Sequence, residues 1–546
     1  MGDLKYLTAQ IDVSRNAVMK IEELKKFIDI LPKMGYNSMV LYTEDLFELP
    51  GYEMFGYMRG KYTIEELKDL VAYGEEKGIT LLPNIRVLAH MEHIFRWEEF
   101  SGIRDNRDLL LADEEKTYEF IEALIRTMRE IYKADTISLG CDEAWSLGLG
   151  RYVKKFGYCD PKEIFKRHLK RCVKIAQKYG FNPQLSGDMF FRYAGEQYSN
   201  NPDLISPEIA EMFPKGAIFG YWDYFSPRQT IENMIKNAKR FNAPIAFACS
   251  VLSWTGFTPH NHRAFDVFNK SLPVCVEQEV HRISVTFWGD DGGECSPWSC
   301  LPAFFYAAQL AHGETDMELI KSRFFDIFGI SFDDFSKLDY PMDYHGVLNR
   351  FYSCKPAIYN DPFMGFFDDL LADERISKQR FLDHAEELFA LEKDAKEFAY
   401  LFNYSAKLCL LMAEKFDLGV RTRKAYKSGN KEALLEVANS YDTCFNYLND
   451  FYESFKAAWL KEKKGNGFEV QAIRLGGLKQ RLLDCKERLL KFINGEIDII
   501  EELEEDVKHI PDTRDNHNLK VNFYGQIASV NTLTQYNFYG NDNLYN

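Results

Sequence analysis

Two adjacent carboxylates, Asp142 and Glu143, stand at the end of a short apolar run that begins at Thr136. Buried parallel strands read as such runs, and in barrel enzymes the reacting groups lie just beyond their C-terminal ends. Neighbouring carboxylates repel each other and resist joint ionisation, so one of them tends to keep its proton near neutral pH. The pair therefore suggests a general acid beside an anion.

The same dipeptide has a simpler interpretation. Acidic residues are favoured at helix N-termini, so Asp142 and Glu143 could merely cap the helix that follows the strand. A catalytic role makes a structural demand instead. Because successive side chains of a strand point to opposite faces, both acids can enter one pocket only if the chain kinks at them. We therefore predict a kink at this position.

Acidic, basic and aromatic side chains also follow the other predicted strands, at positions that a barrel would bring to one rim. The candidates for substrate contact are Arg15, His90, Trp222, Tyr224, Trp254, Trp288, Asp290 and Glu294. Carboxylates accept hydrogen bonds from sugar hydroxyls, arginine donates to them, and indole faces cover the apolar face of a pyranose ring. The sequence has no phosphate loop and no zinc-ligand spacing, so we expect no metal and no cofactor. These residues predict a sugar pocket.

Several of these residues also have purely structural interpretations. Arg15 could form an ion pair at the bottom of the barrel, His90 could support an acid rather than contact sugar, and Trp254 could belong to the core. Asp188 and Asp223, which also follow predicted strands, could simply order loops.

Strand-like and helix-like segments alternate through about the first 310 residues, which is the footprint of a (β/α)8 barrel. The predicted strands lie near residues 6–13, 37–42, 79–85, 136–141, 183–189, 217–224, 245–252 and 283–288. A doubly wound open sheet is the alternative, which the lack of a glycine-rich phosphate turn after the first strand disfavours. The fold class is therefore α/β, a TIM barrel followed by an all-α domain.

We divide the chain into a catalytic barrel, residues 1–335, and a helical C-terminal domain, residues 336–546. In one stretch the apolar residues step by four and three, a seven-residue repeat that faces a single neighbour; they are Leu434, Ala438, Tyr441, Phe445, Leu448, Tyr452, Phe455 and Trp459. This repeat predicts an antiparallel helical domain that braces the barrel or provides the surface of a possible homodimer. The polar segment 535–546 predicts an ordered strap or a frayed end.

Composition restricts the partners and the compartment. The 546 residues carry a formal net charge of -16, which argues against nucleic acid or an anionic membrane as the main partner. No apolar run is long enough to span a bilayer, and the N-terminus lacks the pattern of a signal peptide. The 11 cysteines include no Cys-x-x-Cys pair and favour reduced thiols. We therefore predict a cytoplasmic enzyme whose substrate is a small molecule.

Four motifs, in chain order, resemble those of family 20 glycoside hydrolases, the exo-acting β-N-acetylhexosaminidases. The segment 12–15 resembles the family's Asp-x-x-Arg, and residues 83–90 resemble the stretch leading to its Pro-Gly-His loop. Residues 139–143 resemble its Gly-Gly-Asp-Glu, and residues 288–290 resemble its Trp-Gly-Glu. The chain departs from the pattern at Cys141, in place of a second Gly, and at Ala89. The helical extension resembles a bacterial subgroup that tolerates either C4 epimer of the sugar.

The resemblance implies removal of terminal, non-reducing, β-linked GlcNAc or GalNAc by a retaining, substrate-assisted mechanism. The 2-acetamido oxygen would attack C1 while Glu143 protonates the leaving oxygen. Asp142 would orient the acetamido N–H and stabilise the oxazolinium ion, and Tyr224, with Tyr221 as the alternative, would donate to the acetamido oxygen. Trp222, Trp254 and Trp288 would line the pocket, and Arg15 and residues near Asp290 would bind the outer hydroxyls.

Two other functions stay open at this point. A conventional retaining β-glycosidase on the same fold would use a protein carboxylate as nucleophile. A sugar-binding scaffold would bind without turnover, although two like charges side by side bring no advantage to a pocket that only binds. The choice between GlcNAc and GalNAc depends on contacts to O4 from Asp290, Glu294 or Arg15.

Overall fold

The computed structural model describes residues 4–508, and within them eight parallel strands form a barrel. The strands are β1 (Tyr6–Asp12), β2 (Ser38–Tyr42), β3 (Thr80–Leu82), β4 (Thr136–Ser138), β5 (Asn182–Ser186), β6 (Ile218–Trp222), β7 (Ile245–Ser250) and β8 (Arg282–Phe287). Their order is β3-β2-β1-β8-β7-β6-β5-β4. The two edges meet because Ile85 N–H donates to Ser138 O at 2.9 Å and Ser138 N–H donates to Pro83 O at 3.0 Å. The predicted barrel is confirmed.

Helices follow the strands and cover the outside of the barrel. They are α1 (Ile21–Met34), α2 (Ile64–Glu76), α3 (Glu115–Ile131), α4 (Arg151–Phe156), α5 (Pro161–Lys178), α6 (Asp188–Tyr193), α7 (Pro207–Met212), α8 (Arg228–Lys239), α9 (Asn261–Glu277) and α10 (Leu301–Ala311). In α1 the buried residues Leu24, Phe27, Ile28 and Leu31 recur at helical spacing and form one apolar stripe toward the sheet. Six of the seven residues of β1 are buried, as expected for a strand packed on both faces.

The remainder of the described chain is helical. The helices are α11 (Met317–Phe328), α12 (Phe332–Ser336), α13 (Lys355–Tyr359), α14 (Asp368–Leu371), α15 (Lys378–Glu392), α16 (Ala399–Lys415), α17 (Leu418–Ser428), α18 (Lys431–Glu462), α19 (Phe468–Asn494) and α20 (Glu501–Glu504). A short connection, residues 463–467, joins the two longest helices, α18 and α19. The division at residue 335 stays a prediction, since one continuous apolar core joins the barrel to these helices.

The predicted seven-residue repeat lies on α18, and six of its eight residues are buried. Helix α18 packs against α16, α17 and α19 of the same chain, so the repeat is covered internally. Rings of Phe451 and Phe455 also contact Phe257 of the barrel, with centroids 5.1 Å apart in both pairs. The helices therefore brace the barrel, and the repeat no longer supports the predicted homodimer.

Two further predictions concern the chain as a whole. All eleven cysteines are unpaired and ten of them are buried, and the reduced state of these thiols stays a prediction. Between residues 4 and 508, no helix is both long and apolar enough to cross a membrane. The segment 535–546 lies outside the described residues.

Candidate active site

A cavity of about 400 Å³ lies at the C-terminal ends of the barrel strands. Nine of the ten predicted site residues line it: Arg15, His90, Asp142, Glu143, Trp222, Tyr224, Trp254, Trp288 and Asp290. Each of these residues lies at or after the C-terminal end of a strand, and a parallel barrel brings all such ends to one rim. The predicted residues therefore meet in one pocket that is large enough for a single sugar ring and its substituent.

The chain kinks sharply where β4 ends. Gly140, Cys141 and Glu143 have positive φ angles of 69°, 79° and 57°, a region that residues with a side chain rarely adopt. The backbone N–H of Glu143 donates to Asp188 Oδ2 at 2.9 Å and holds this turn in place. The predicted kink is confirmed, and the helix-capping alternative is wrong because α4 begins only at Arg151.

Asp142 is held by three side chains at once. Arg86 lies 2.6 Å from Oδ1, the hydroxyl of Ser186 donates to the same oxygen at 2.7 Å, and His90 Nε2 lies 3.2 Å from Oδ2. Burial by itself would raise the pKa of Asp142, but the Arg86 guanidinium, His90 and Ser186 together hold this pKa far below its usual range. Asp142 is therefore an anion with both oxygens engaged.

The contact between Arg86 and Asp142 depends on a glycine. A Cβ added at Gly140 would lie 2.4 Å from Arg86 Nη1, well inside any allowed contact. Gly140 also has a left-handed backbone, which glycine adopts without steric cost. Glycine at this position therefore serves both the kink and the approach of the guanidinium.

Glu143 has the opposite electrostatic environment. Burial raises its pKa well above the usual value, and the nearby carboxylates of Asp142, Asp188 and Asp290 raise it further. Its Oε2 lies 3.5 Å from His90 Nε2, so His90 faces both acids. The pKa values of two adjacent carboxyl groups are thus shifted in opposite directions, which favours an anion at position 142 and a protonated acid at position 143.

Aromatic side chains form the walls next to these acids. Trp288 Nε1–H donates to the hydroxyl oxygen of Tyr224 at 3.0 Å, and the Trp288 ring meets the edge of Tyr42 with centroids 4.8 Å apart. The ring of Trp254 lies 5.8 Å from that of Tyr224. Trp254 is only 7% exposed, yet it lines the cavity, so its packing and its pocket-facing position are compatible.

Charged groups line the far end of the cavity. Arg15 Nη1 donates to Glu44 Oε1 at 2.8 Å, and its Nε lies 3.7 Å from both Asp12 Oδ2 and Asp290 Oδ1. Burial raises the pKa of Asp290 to about 6, although Arg15 opposes this shift. Arg15 is therefore at the top of the barrel, and the alternative of an ion pair at the bottom is wrong.

Glu294 is the one predicted site residue that lies outside the cavity. Its carboxylate oxygen Oε1 is 3.0 Å from Lys355 Nζ and 3.2 Å from Arg474 Nη1, and its side chain is 1% exposed. The prediction that Glu294 contacts a sugar hydroxyl is therefore corrected. A buried carboxylate that is paired with two cations holds parts of the protein together instead.

Several lining residues were not indicated by the sequence. They include Tyr42, Arg86, Ser186, Tyr198 and Phe351. Arg86 follows the end of β3 by four residues. Its position after a strand could therefore have identified it as a residue of the barrel rim. Phe351 lies beyond residue 335, outside the predicted catalytic barrel, and its ring centroid lies 5.5 Å from that of Trp254. Only the folded chain brings it there.

His90, Asp142 and Glu143 also offer three atoms of metal-ligand type within 4.8 Å of one another. A cation at this place would lie beside the Arg86 guanidinium, which already pairs with Asp142 at 2.6 Å. Like charges so close repel each other in a buried site. The donor set is therefore better suited to holding a proton than a metal ion.

Comparisons with known proteins give a consistent family. Residues 5–201 match the model of the glycosyl hydrolase family 20 catalytic domain, and residues 333–521 match that of the glycoside hydrolase 20C C-terminal domain. Hexosaminidase D of Bos taurus is 21% identical over 221 residues, 38% of this chain and 60% of the relative. A beta-hexosaminidase of Akkermansia muciniphila is 26% identical over 198 residues, 30% of this chain and 40% of the relative.

A crystal structure of a beta-N-acetylhexosaminidase superposes with a TM-score of 0.45 at 16% identity, covering 60% of this chain and 76% of that one. The matched part of the chain covers less than two thirds of the length of the Bos taurus and Akkermansia muciniphila relatives. The cavity residues of β6 to β8 lie between the two matched segments, so their assignment rests on the geometry of the cavity. The two family models match the N-terminal part of the barrel and the helical region, and the chain belongs to glycoside hydrolase family 20.

Proposed function

We propose that this protein is an exo-acting β-N-acetylhexosaminidase, which removes terminal β-linked GlcNAc, GalNAc or both from the non-reducing end of glycans. One observation carries the proposal: Asp142 and Glu143 line one cavity, and their surroundings shift their pKa values in opposite directions. Glu143 then has the proton that a glycosidic leaving group requires. Relatives named hexosaminidase support the same activity.

The environment of Asp142 favours a substrate-assisted mechanism over a conventional one. A protein nucleophile needs a free carboxylate oxygen that can reach C1. Arg86 and Ser186 hold Oδ1 of Asp142, and His90 approaches Oδ2, which fixes the carboxylate in place but leaves Oδ2 a lone pair for one more hydrogen bond. Such a fixed anion is placed to orient a group and stabilise positive charge. The 2-acetamido oxygen of the substrate would attack C1, Asp142 would accept from the acetamido N–H, and Glu143 would protonate the departing oxygen and then activate water.

The geometry favours Tyr224 over Tyr221 as the donor to the acetamido oxygen. Tyr221 donates its hydroxyl hydrogen to Asp223 at 2.7 Å and is therefore committed. The Tyr224 oxygen accepts from Trp288, which leaves its own hydrogen for an acceptor in the cavity. Arg15 and Asp290, at the far end, are placed to bind hydroxyls of the terminal sugar. The eleven unpaired cysteines support a reducing compartment such as the cytoplasm.

Release of nitrophenol from the β-GlcNAc, β-GalNAc and β-glucose derivatives, measured side by side, tests the proposal. Turnover of the acetamido sugars without turnover of the glucoside is the expected result. Equal or faster turnover of the glucoside would replace the substrate-assisted mechanism with a conventional two-carboxylate one. Sugar binding without any turnover would leave a sugar-binding scaffold as the function.

A further inference from the structure

The loop after β8 carries Asp290 and is contacted by several buried side chains from the helical region. We call residues 289–295 the β8 loop. Arg474 donates to Asp291 O and Oδ1, both at 2.7 Å, and Lys355 Nζ lies 3.0 Å from Asp291 Oδ2. Lys463 Nζ donates to Gly293 O at 2.8 Å, and Gln471 donates to Gly292 O at 3.3 Å. Backbone carbonyls that a loop normally presents to water are therefore bound by buried side chains.

The same stretch of the helical region also holds the loop that carries Arg15. Lys464 N–H donates to Val18 O at 2.8 Å, and Lys20 N–H donates to Glu462 O at 2.9 Å. Met19 and Lys463 form an antiparallel backbone bridge between these two segments. Residues 462–474, which we call the clamp segment, thus contact both loops that supply the far end of the cavity.

The side chains that join the helical region to the β8 loop are buried and charged. The side chains of Lys355, Arg474, Asp291 and Glu294 are exposed by 0%, 1%, 3% and 1%. Such ion pairs add little net stability compared with apolar packing. They fix the geometry of the loop because any arrangement that separates the partners leaves a buried charge unpaired, which is costly. Asp290 directly precedes Asp291 in the chain. The contacts that hold Asp291 therefore also restrict the position of Asp290, whose carboxylate faces Arg15.

We infer that the clamp segment sets the positions of Arg15 and Asp290, so that the helical region determines how the terminal sugar is bound. This inference deepens the proposed function and rests on it. Arg474, Lys463 and Gln471 are then positioning residues, because they act on the sugar through the β8 loop. Their effect should appear in sugar binding rather than in the chemistry at Asp142 and Glu143.

Arg474→Met tests the inference, with Arg481→Met as the matched control. Arg481 lies two turns further along α19 and pairs with Asp361 at 2.6 Å, away from the β8 loop. We expect Arg474→Met to raise KM for β-GlcNAc and β-GalNAc derivatives by about fivefold or more, to leave kcat within about twofold, and to change the ratio of kcat/KM between the two sugars. Arg481→Met should change none of these.

Gln471→Met covers the case in which Arg474→Met does not fold, since it removes only one neutral hydrogen bond. A smaller shift in the same direction is expected for it. Unchanged KM values and an unchanged sugar ratio in a folded variant would overturn the inference. An inactive wild type would instead overturn the proposed function, so the two failures are distinct.

A second, independent observation concerns a hollow of about 760 Å³ formed by the loops after β3 and β4. We call it the basic hollow, because its lining includes Arg96, Arg104, Arg107, Arg151 and Lys154. Across residues 4–508, none of Arg104, Arg107, Arg151 and Lys154 has a carboxylate oxygen within 4.0 Å. Five cations around one hollow are unexpected in a chain with a net charge of -16.

Two acids, Glu92 and Asp105, also line the basic hollow. Burial raises the pKa of Glu92 well above its usual value, and the nearby acids Asp108 and Glu44 raise it further. The carboxylate of Asp105 accepts the backbone N–H of Tyr152 at 2.7 Å. Burial also lowers the pKa of Arg96, and the like charges of Arg59 and Arg107 contribute to this shift. The cations therefore outnumber the acids around this hollow, and the opposing effect of Asp45 and Glu92 does not restore the pKa of Arg96 to its usual value.

We propose that the basic hollow binds an oxyanion, a sulfate ester or a sugar carboxylate, on the part of the glycan beyond the terminal sugar. Glu92 is two residues from His90, and Leu149 to Lys154 follow Glu143, so the two loops that line the hollow also carry residues of the candidate active site. Arginine forks match such planar or tetrahedral oxyanions, and a local positive field in an acidic protein attracts them.

Calorimetric titration with inorganic sulfate and with glucuronate, at low ionic strength, tests this proposal without requiring turnover. We expect Arg104→Gln/Arg107→Gln to weaken binding by about tenfold or more. The control Arg171→Gln/Arg240→Gln removes two surface charges elsewhere, which pair with Glu115 and Asp203, and should leave binding unchanged. Tighter binding of sulfate or of glucuronate identifies the oxyanion. No binding to the wild type, or equal binding to the Arg104/Arg107 variant, would overturn the proposal.

Discussion

The guanidinium of Arg86 lies 2.6 Å from Oδ1 of Asp142, and this contact separates the protonation states of the two neighbouring acids. Burial raises the pKa of any carboxyl group, and it does so for Glu143. Asp142 escapes this rise because it has Arg86, whereas Glu143 has three carboxylates for neighbours. Arg86 thus favours the anionic form of Asp142. That anion raises the pKa of Glu143, whereas Arg86 itself lowers it by a smaller amount.

Arg86→Met is therefore expected to lower kcat/KM by about 10²-fold or more, the scale of losing one electrostatic partner in a buried site. The pKa of Asp142 would rise once its largest opposing partner is gone. Because activity requires the anion, the acidic limb of the pH profile should move to higher pH. Arg86→Lys keeps the charge without the planar fork and should retain more activity. An acidic limb that stays in place in Arg86→Met would contradict this account.

Glu143→Gln tests the acid at the other end of the pair. We expect a loss of about 10²–10⁴-fold with a poor leaving group and a much smaller loss with a good one, which needs no protonation. The wild type should lose activity as pH rises through the raised pKa of Glu143, because the acid then loses its proton. The variant should lack this basic limb. A loss that is equal for all leaving groups would argue against Glu143 as the general acid.

Most of the fold could be predicted because its signals are local. The eight strands are short apolar runs between amphipathic helices, and each predicted strand overlaps an observed one. The residues at the strand ends were also accessible, since a parallel barrel brings all of them to one rim. The same logic could not separate Asp290 from Glu294, because only the folded helical region shows that Lys355 and Arg474 bind the latter.

The partners of the acids were harder to predict. Arg86 and Ser186 belong to strand ends different from that of Asp142, and their contacts depend on barrel register rather than on spacing in the sequence. Phe351 joins the cavity from more than 60 residues beyond β8. Contacts of this kind leave no periodic pattern in the sequence. The acid and anion roles could therefore be assigned to residues 142 and 143, but the side chains that shift their pKa values could not be identified.

Gly140→Ala should abolish the contact between Arg86 and Asp142, because the added Cβ would lie 2.4 Å from Arg86 Nη1. Gly180→Ala is the matched control: Gly180 has a similar φ of +76°, but nothing lies within 4 Å of its Cβ position. Both variants pay the cost of a left-handed alanine, about 1–2 kcal/mol of unfolding free energy. Only Gly140→Ala should also lose activity by about 10²-fold or more. Equal activity in the two folded variants would contradict the role assigned to Gly140.

Tyr224→Phe tests how the acetamido group is held. Trp288 donates to the Tyr224 oxygen at 3.0 Å, so the Tyr224 hydrogen can point toward a substrate oxygen that gains charge as it attacks C1. Removing one such donor is expected to lower kcat by about 10²-fold with a smaller change in KM. Tyr221→Phe should have a weaker effect, because that hydroxyl already donates to Asp223 at 2.7 Å. Kinetics of both variants on the β-GlcNAc derivative provide the measurement. A larger loss in Tyr221→Phe would transfer the acetamido contact to Tyr221, and equal losses would show that neither hydroxyl acts alone on the attacking oxygen.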